Sequence, residues 1–175
     1  MMYYSVIKDC DIANGPGVRV VLFVSGCRNH CPECFQPQTW AFDYGQPFTQ
    51  ETADEIISLL SRHYIRGLTL LGGEPFEPEN QPVLLELVQQ VRAKFGHTKD
   101  IWAFSGYTLD GELLPGKKGD PKITRQLLEG LDVLVDGRFV AALKNLNLQY
   151  RGSSNQRLID LPQTLATGQI VPWHE

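Results

Sequence analysis

The sequence lacks any long hydrophobic run: nowhere do as many as about 18 apolar residues follow one another, so no transmembrane helix is predicted. Residues 1–9 also lack the apolar core of a signal peptide. Basic residues are not in excess, with 16 Lys and Arg against 20 Asp and Glu, which disfavours a dedicated nucleic-acid-binding protein. No internal repeat or low-complexity tract divides the 175 residues. We therefore expect a single cytoplasmic domain, residues 1–175, that binds neither membrane nor nucleic acid.

Cysteine is scarce as well, with only four in the chain. Three of them, Cys27, Cys31 and Cys34, lie within eight residues. In a chain without an export signal, such clustering favours metal ligation over disulfide formation. Cys10 stands apart, and we expect it to be a small buried side chain rather than a ligand.

Segments typical of strands and helices alternate along the chain. Strands are predicted at residues 20–24, 68–71, 101–104 and 133–135, with a last one between 149 and 161, and helices at residues 52–64, 82–95 and 123–128. Thr52 and Glu55 resemble a capping box for the first helix. The alternation indicates an α/β fold with mostly parallel strands. Because a closed barrel needs about 250 residues, we expect an incomplete, open (β/α) barrel with its functional residues at the carboxyl ends of the strands.

The cysteines form a C-x3-C-x2-C motif directly after the first predicted strand. Three thiolates on one loop can hold three irons of a 4Fe–4S cluster and leave the fourth iron free for a substrate. The alternative is a structural zinc site with His30 as the fourth ligand. His30 is adjacent to Cys31, and neighbouring residues rarely converge on one small ion. The spacing favours the cluster, with a zinc or electron-transfer module as the alternative.

A second motif, Gly72-Gly73-Glu74-Pro75, follows the next predicted strand. Together the two motifs resemble those of the radical S-adenosylmethionine superfamily. Residues 11–19, which lead to residues 23–27, resemble the activating enzymes of glycyl-radical proteins. Residues 102–107, 132–139 and 151–157 resemble one branch of that group, the branch that activates anaerobic ribonucleoside-triphosphate reductase.

The resemblance implies a reaction, two cofactors and two partners. A 4Fe–4S cluster, reduced by an external one-electron donor such as flavodoxin or ferredoxin, would cleave S-adenosylmethionine to methionine and a 5′-deoxyadenosyl radical. That radical would remove a Cα hydrogen from a glycine of the reductase. The alternatives are an activase of another glycyl-radical enzyme and a 7-carboxy-7-deazaguanine synthase-like enzyme that acts on a small molecule.

The resemblance also implies roles for residues near the strand ends. Cys27, Cys31 and Cys34 would bind the cluster, with no catalytic residue beyond these ligands. Gly72 and Gly73 would let the backbone approach the methionine moiety, although two glycines alone also suit a plain turn.

Acidic and hydroxyl side chains at the strand ends are expected to contact the ligand. Glu74 would face the cationic S-adenosylmethionine, and Ser105 would hydrogen-bond it or serve as a turn residue. Asp136 and Arg138 would form one charged site for a cation and the ligand carboxylate, the alternative being a surface ion pair.

The position before the third cysteine departs from the superfamily, in which it is commonly aromatic. Here it is Glu33, and the aromatic residue follows the cysteine as Phe35. Contact with adenine around these two residues is therefore expected to involve mainly the backbone. Residues 151–157 would contact S-adenosylmethionine or the protein partner, or form a solvated loop.

Overall fold

The structure, a computed structural model, describes all 175 residues. Seven strands are β1 (Tyr3–Asp11), β2 (Val18–Val24), β3 (Gln46–Pro47), β4 (Ile65–Gly72), β5 (Asp100–Ser105), β6 (Val133–Asp136) and β7 (Arg157–Asp160). Four helices are α1 (Gln50–Leu60), α2 (Gln81–Phe95), α3 (Pro121–Glu129) and α4 (Leu161–Thr167). None of these helices is both long and apolar enough to cross a membrane.

All seven strands form one sheet in the order β3-β1-β2-β4-β5-β6-β7. The four central strands, β2, β4, β5 and β6, are parallel, as expected for strands joined by helical crossovers. The edges are antiparallel, with β1 paired to β2 and β3 on one side and β7 paired to β6 on the other. Because β3 and β7 do not pair with each other, the sheet stays open, which confirms the predicted open α/β architecture.

The two faces of the sheet have different roles, because successive side chains of a strand point to opposite faces. Leu22 of β2 and Leu70 of β4 belong to the main hydrophobic core, which also contains the buried faces of the four helices. Their neighbours Phe23 and Leu71, together with Phe104 of β5, line a cavity instead. The helices therefore cover one face, and the other face is left to form a binding site.

Two local predictions are wrong. Helix α1 begins at Gln50 rather than at Thr52, because Thr49 is the N-cap and forms the capping box with Thr52. The helix also ends at Leu60, and Tyr64, the last residue of the predicted helix, is exposed outside it. Cys10 is not buried: it lies exposed on β1, a strand that the sequence analysis did not identify.

Candidate metal centre

The cysteine loop follows β2 and closes onto a short 3-10 turn, Pro37–Trp40. The Gly26 N–H donates to the Thr39 carbonyl at 2.7 Å, and the Cys27 N–H donates to the Trp40 carbonyl at 3.2 Å. These bonds fix the start of the loop at the carboxyl end of a central strand, where the fold class predicts the functional residues.

All three clustered cysteines carry free thiols and line the same cavity, which has a volume of about 550 Å³. Between them, His30 and Glu33 have φ angles of 46° and 61°. These left-handed values are uncommon for residues other than glycine and coil the loop tightly. As a result, Cys27, Cys31 and Cys34 reach one wall although they are separated along the chain.

Burial affects the protonation of two of these thiols. It raises the pKa of Cys27 to about 11, and it also raises the pKa of Cys31. Both therefore favour the neutral thiol at physiological pH in the metal-free chain. A metal that takes them as thiolates must displace these protons, which couples metal binding to proton release.

The cavity lies at the carboxyl ends of the four parallel strands. Eight of the predicted site residues line it: Cys27, Cys31, Cys34, Phe35, Gly72, Gly73, Glu74 and Ser105. The other three, Glu33, Asp136 and Arg138, do not.

The two glycines at the end of β4 are required by close backbone packing. Gly72 has a φ of 112°, a conformation that favours glycine. A Cβ on Gly73 would lie 2.7 Å from the Gly26 carbonyl oxygen and 3.0 Å from that of Thr39. Any side chain at Gly73 would therefore push against the start of the cysteine loop.

Glu74 is buried to 1% exposure and accepts four hydrogen bonds. The donors are the Ser105 hydroxyl at 2.7 Å, the Gly106 N–H at 2.7 Å, the Phe76 N–H at 3.0 Å and the Asn29 side-chain amide at 3.1 Å. Burial raises the pKa of Glu74 to about 7. The two residues expected to contact the ligand thus contact each other, and together they join the cysteine loop to the end of β5.

Asp136 and Arg138, expected to form one charged site, have different partners in the structure. Asp136 is fully buried and accepts two hydrogen bonds from Arg157, at 2.9 and 2.6 Å. Arg138 is exposed and pairs with Glu112 at 2.9 Å. Gly137, with a φ of 102°, lies between them and turns the chain as β6 ends, so the two side chains find different partners.

The aromatic residue after the third cysteine lies at the rim of the cavity. The side chain of Phe35 is 75% exposed, and its ring centroid is 6.1 Å from that of Phe139. Glu33 is exposed but lies outside the cavity wall, so Phe35 is the residue of this pair that lines the cavity.

Comparison with known proteins identifies relatives over nearly the whole chain. A family model described as a 4Fe-4S single cluster domain matches residues 13–159. The anaerobic ribonucleoside-triphosphate reductase-activating protein of Escherichia coli K12 is 46% identical over 157 residues, which cover 89% of this chain and 96% of that protein. Proteins of the same name from Enterobacteria phage T4 and Haemophilus influenzae are 43% and 40% identical, with 90% and 89% of this chain covered and 93% and 96% of theirs.

The chain belongs to this family of activating proteins. The donor set fits the cluster named by the family model, because three free thiols from one loop line a single cavity. No three His, Cys, Asp or Glu side chains are gathered as ligands of a single ion would be. A cluster does not require such convergence, since its cysteines can bind different irons.

Several residues of the activating-protein site were not singled out from the sequence. The indole of Trp40 lines the cavity and stacks on His30, with ring centroids 4.3 Å apart. His30 itself does not line the cavity, unlike the three cysteines. Trp40 reaches the site only because the 3-10 turn folds back onto the cysteine loop, a contact that no local spacing reveals.

The loop at residues 151–157 contributes part of the opposite wall. Arg151, Gly152 and Gln156 line the cavity, as do Asn14 and Tyr150. The Arg151 guanidinium donates to the Gln156 carbonyl at 2.6 Å, while its Nε atom is buried without a protein partner. The contact of this loop with the ligand stays a prediction, and three of its residues lie in the cavity wall.

Proposed function

We propose that this chain activates an anaerobic ribonucleoside-triphosphate reductase by generating a glycyl radical on it. Cys27, Cys31 and Cys34 hold a 4Fe–4S cluster, and S-adenosylmethionine binds beside it. When bound, these groups supply a one-electron reductive cleavage that yields methionine and a 5′-deoxyadenosyl radical, which removes one Cα hydrogen from a glycine of the reductase. An external donor such as flavodoxin or ferredoxin supplies the electron.

One observation carries this proposal. Three free cysteines of one loop line the same cavity as Gly72 and Gly73, in a chain that is 46% identical to the activating protein of Escherichia coli over nearly its full length. The two sequence motifs are far apart along the chain, yet the parallel pairing of β2 with β4 brings their strand ends together, with Val24 opposite Gly72.

The other predicted site residues have supporting roles in this proposal. Gly72 and Gly73 keep the end of β4 free of side chains, so the methionine part of the ligand can approach the backbone. The adenine contacts mainly the backbone around Glu33 and Phe35, and the exposed Phe35 ring lies at the rim of the cavity. Asp136 acts through Arg157, a pair that holds the end of β6 to β7.

Two further wall residues, Glu74 and Ser105, shape the cavity between the cysteine loop and β5. Arg138 lies outside the wall and pairs with Glu112, so its proposed contribution is to support the segment after β6.

The fold supports the same assignment. We infer that the open sheet is an incomplete (β/α) barrel of the radical S-adenosylmethionine type. Its helices pack on one face, and its cavity lies on the other face at the carboxyl ends of the parallel strands. An open site of this kind suits a macromolecular substrate, because the target glycine must approach the bound ligand.

The proposal is tested by anaerobic reconstitution followed by electron paramagnetic resonance. We expect about four irons and four sulfides per chain. Mixed with reductant, S-adenosylmethionine and the anaerobic reductase of the same organism, the loaded chain should give a doublet, since the unpaired electron on the glycine Cα couples to its one remaining hydrogen.

Matched variants separate the cluster from the partner. Cys31→Ala should remove both the cluster and the doublet, whereas Cys10→Ser, on the exposed surface of β1, should leave both intact. Alanine at the target glycine of the reductase should remove the doublet alone. An intact cluster that gives no radical on the reductase, but turns over a deazaguanine precursor, would contradict the proposal.

A further inference from the structure

Glu77 is a second buried carboxylate beneath the cysteine loop, and neither motif includes it. It is 1% exposed, and its side chain accepts three hydrogen bonds. The Arg28 N–H donates to Oε1 at 2.7 Å, the Arg28 guanidinium donates to Oε2 at 2.6 Å, and the Tyr107 hydroxyl donates to Oε1 at 2.9 Å. A buried carboxylate is costly unless it is paired, and these three donors offset the cost of burying Glu77.

The turn that carries Glu77 is itself firmly anchored. The Asn80 N–H donates to the Glu77 carbonyl at 2.9 Å. The Asn80 side-chain amide donates to the carbonyls of Ser25 and Glu74, both at 3.0 Å. Ser25 directly follows β2, and Asn80 precedes α2. The turn that carries Glu77 is therefore fixed to both the sheet and a helix.

Two carboxylates, those of Glu77 and Glu74, accept hydrogen bonds from two successive residues of the cysteine loop. Glu77 binds Arg28, and Glu74 accepts from the side chain of Asn29 at 3.1 Å. Arg28 and Asn29 both lie between Cys27 and Cys31. The bond to the Arg28 N–H matters most for position, because it restrains the backbone of the loop rather than a flexible side chain.

Glu79 provides an internal comparison. It pairs with the same guanidinium, at 2.9 and 2.5 Å, but it makes no bond to the loop backbone. Its side chain is 43% exposed, and that of Arg28 is 55% exposed, so this ion pair is screened by solvent. Two carboxylates thus contact one arginine, and only Glu77 also restrains the path of the chain.

We propose that Glu77 is a positioning residue that fixes the backbone between Cys27 and Cys31 and thereby slows the loss of the iron–sulfur cluster. This inference rests on the proposed function, which assigns the cluster to these cysteines. Residues that orient metal ligands from outside the first coordination sphere typically change metal affinity by roughly 10- to 100-fold when substituted.

The test compares Glu77→Gln with Glu79→Gln in the full chain. Each is reconstituted anaerobically, its iron and sulfide are measured, and iron release to an excess of chelator is followed spectroscopically. Glu77→Gln should release iron roughly tenfold or more faster than the unmodified chain. Glu79→Gln should stay within about twofold, because its pair lies in solvent.

A reduction potential distinguishes this role from a purely structural one. Glu77→Gln removes a buried negative charge near the cysteine loop, which should shift the cluster potential to a more positive value, whereas Glu79→Gln should not shift it. Glu77→Asp keeps the charge on a shorter side chain, so it should keep the potential and still release iron faster. The unfolding midpoint of each cluster-free variant is recorded separately.

The outcomes separate the two proposals. If both Gln variants release iron at the same rate and share one potential, the positioning role of Glu77 is overturned. If Glu77→Gln does not fold, Glu77→Asp decides the question by its release rate, and a rate equal to that of the unmodified chain overturns the proposal. If the unmodified chain takes up no iron and sulfide, the proposed function itself fails.

Discussion

Gly73 shows how one residue couples two parts of the site. Because a Cβ at this position would meet the backbone oxygens of Gly26 and Thr39 at 2.7 and 3.0 Å, neither neighbour can move aside as a flexible side chain would. We expect Gly73→Ala to weaken S-adenosylmethionine binding by at least about tenfold, or about 1.4 kcal/mol. We also expect it to lower iron content, since the displaced backbone begins the cysteine loop. Calorimetry and iron analysis would measure the two effects.

Gly96→Ala is the matched control for this prediction. Gly96 has a left-handed φ of 56°, which Gly73 does not have, and a Cβ at Gly96 would meet nothing within 4 Å. The control should lose stability only through backbone strain, about 1–2 kcal/mol, and should bind ligand normally. Unchanged affinity and iron content in Gly73→Ala would show that the ligand and the loop do not depend on this close approach.

The sequence reveals some site residues and hides others for a physical reason. Cys27, Cys31 and Cys34 are recognisable because a cluster needs several thiolates at close spacing. Gly72 is recognisable only as part of a motif that, together with the cysteines, resembles that of the radical S-adenosylmethionine superfamily. The partner of Asp136 is different. Arg157 lies opposite it only through the antiparallel register of β6 and β7, which local sequence does not specify. The contact between Glu77 and Arg28 is likewise formed only in the folded chain, and the local sequence around Glu77 does not indicate it.

At the scale of elements, the start of β2 is tied to its neighbours by a buried arginine. Arg19 is 0% exposed and donates to Thr69 Oγ1 at 2.8 Å, to the Pro16 and Leu68 carbonyls at 3.0 Å, and to Asp100 at 2.5 Å. Burial lowers the pKa of its guanidinium, and Asp100 opposes that shift. These bonds join β2, β4 and β5 and the loop after β1.

We expect Arg19→Met to lower the free energy of unfolding by about 3 kcal/mol, because removing one partner of a buried pair leaves polar groups without a partner. Urea denaturation would measure this. Arg66→Met is the control, since Arg66 binds the same Asp100 at 3.3 Å with a half-exposed side chain, and it should cost less than about 1 kcal/mol. Equal losses in the two variants would refute a special role for the buried contact.

The segment after α4 covers the outer edge of β7. The Asp160 N–H donates to the Val171 carbonyl and the Trp173 N–H to the Leu158 carbonyl, both at 2.9 Å. The Trp173 ring packs edge-on against the buried Trp102, with centroids 4.8 Å apart. An edge strand without such cover is free to pair with another chain.

Removal of residues 169–175 should therefore lower the free energy of unfolding by about 3 kcal/mol through the loss of aromatic burial. It should also promote self-association through β7. Denaturation and light scattering would detect the two effects. Trp173→Phe, which keeps a ring and the backbone bonds, should lose less stability and stay dispersed. A truncated chain as stable as the full one would show that the segment contributes no packing energy.

The central strands and the edge strand β7 could be predicted from the sequence, whereas β1, β3 and α4 could not. Strands β2, β4, β5 and β6 have mostly buried side chains, so they appear as continuous apolar or β-branched runs. Strand β1 is an antiparallel strand near the edge with mostly partly exposed or exposed side chains, and it has no such run. Helix α4 has only seven residues and contains Pro162, too short for an apolar period to be recognised.

For the molecule as a whole, the cavity wall comes from loops after different strands, so a ligand bound there ties those strand ends together. Cys27 follows β2, Gly73 follows β4, and Ser105 ends β5.

At about 100 times its dissociation constant, a ligand that binds only the folded chain adds about 2.7 kcal/mol to stability. We expect S-adenosylmethionine to raise the unfolding midpoint of the cluster-loaded chain by the corresponding amount in anaerobic thermal melts. The cluster-free chain and Cys31→Ala should gain much less, because in the proposed function the iron without a protein ligand would anchor the co-substrate. An equal gain without the cluster would mean that the cavity recognises the ligand through its own side chains, and the cysteines would then have to serve another purpose.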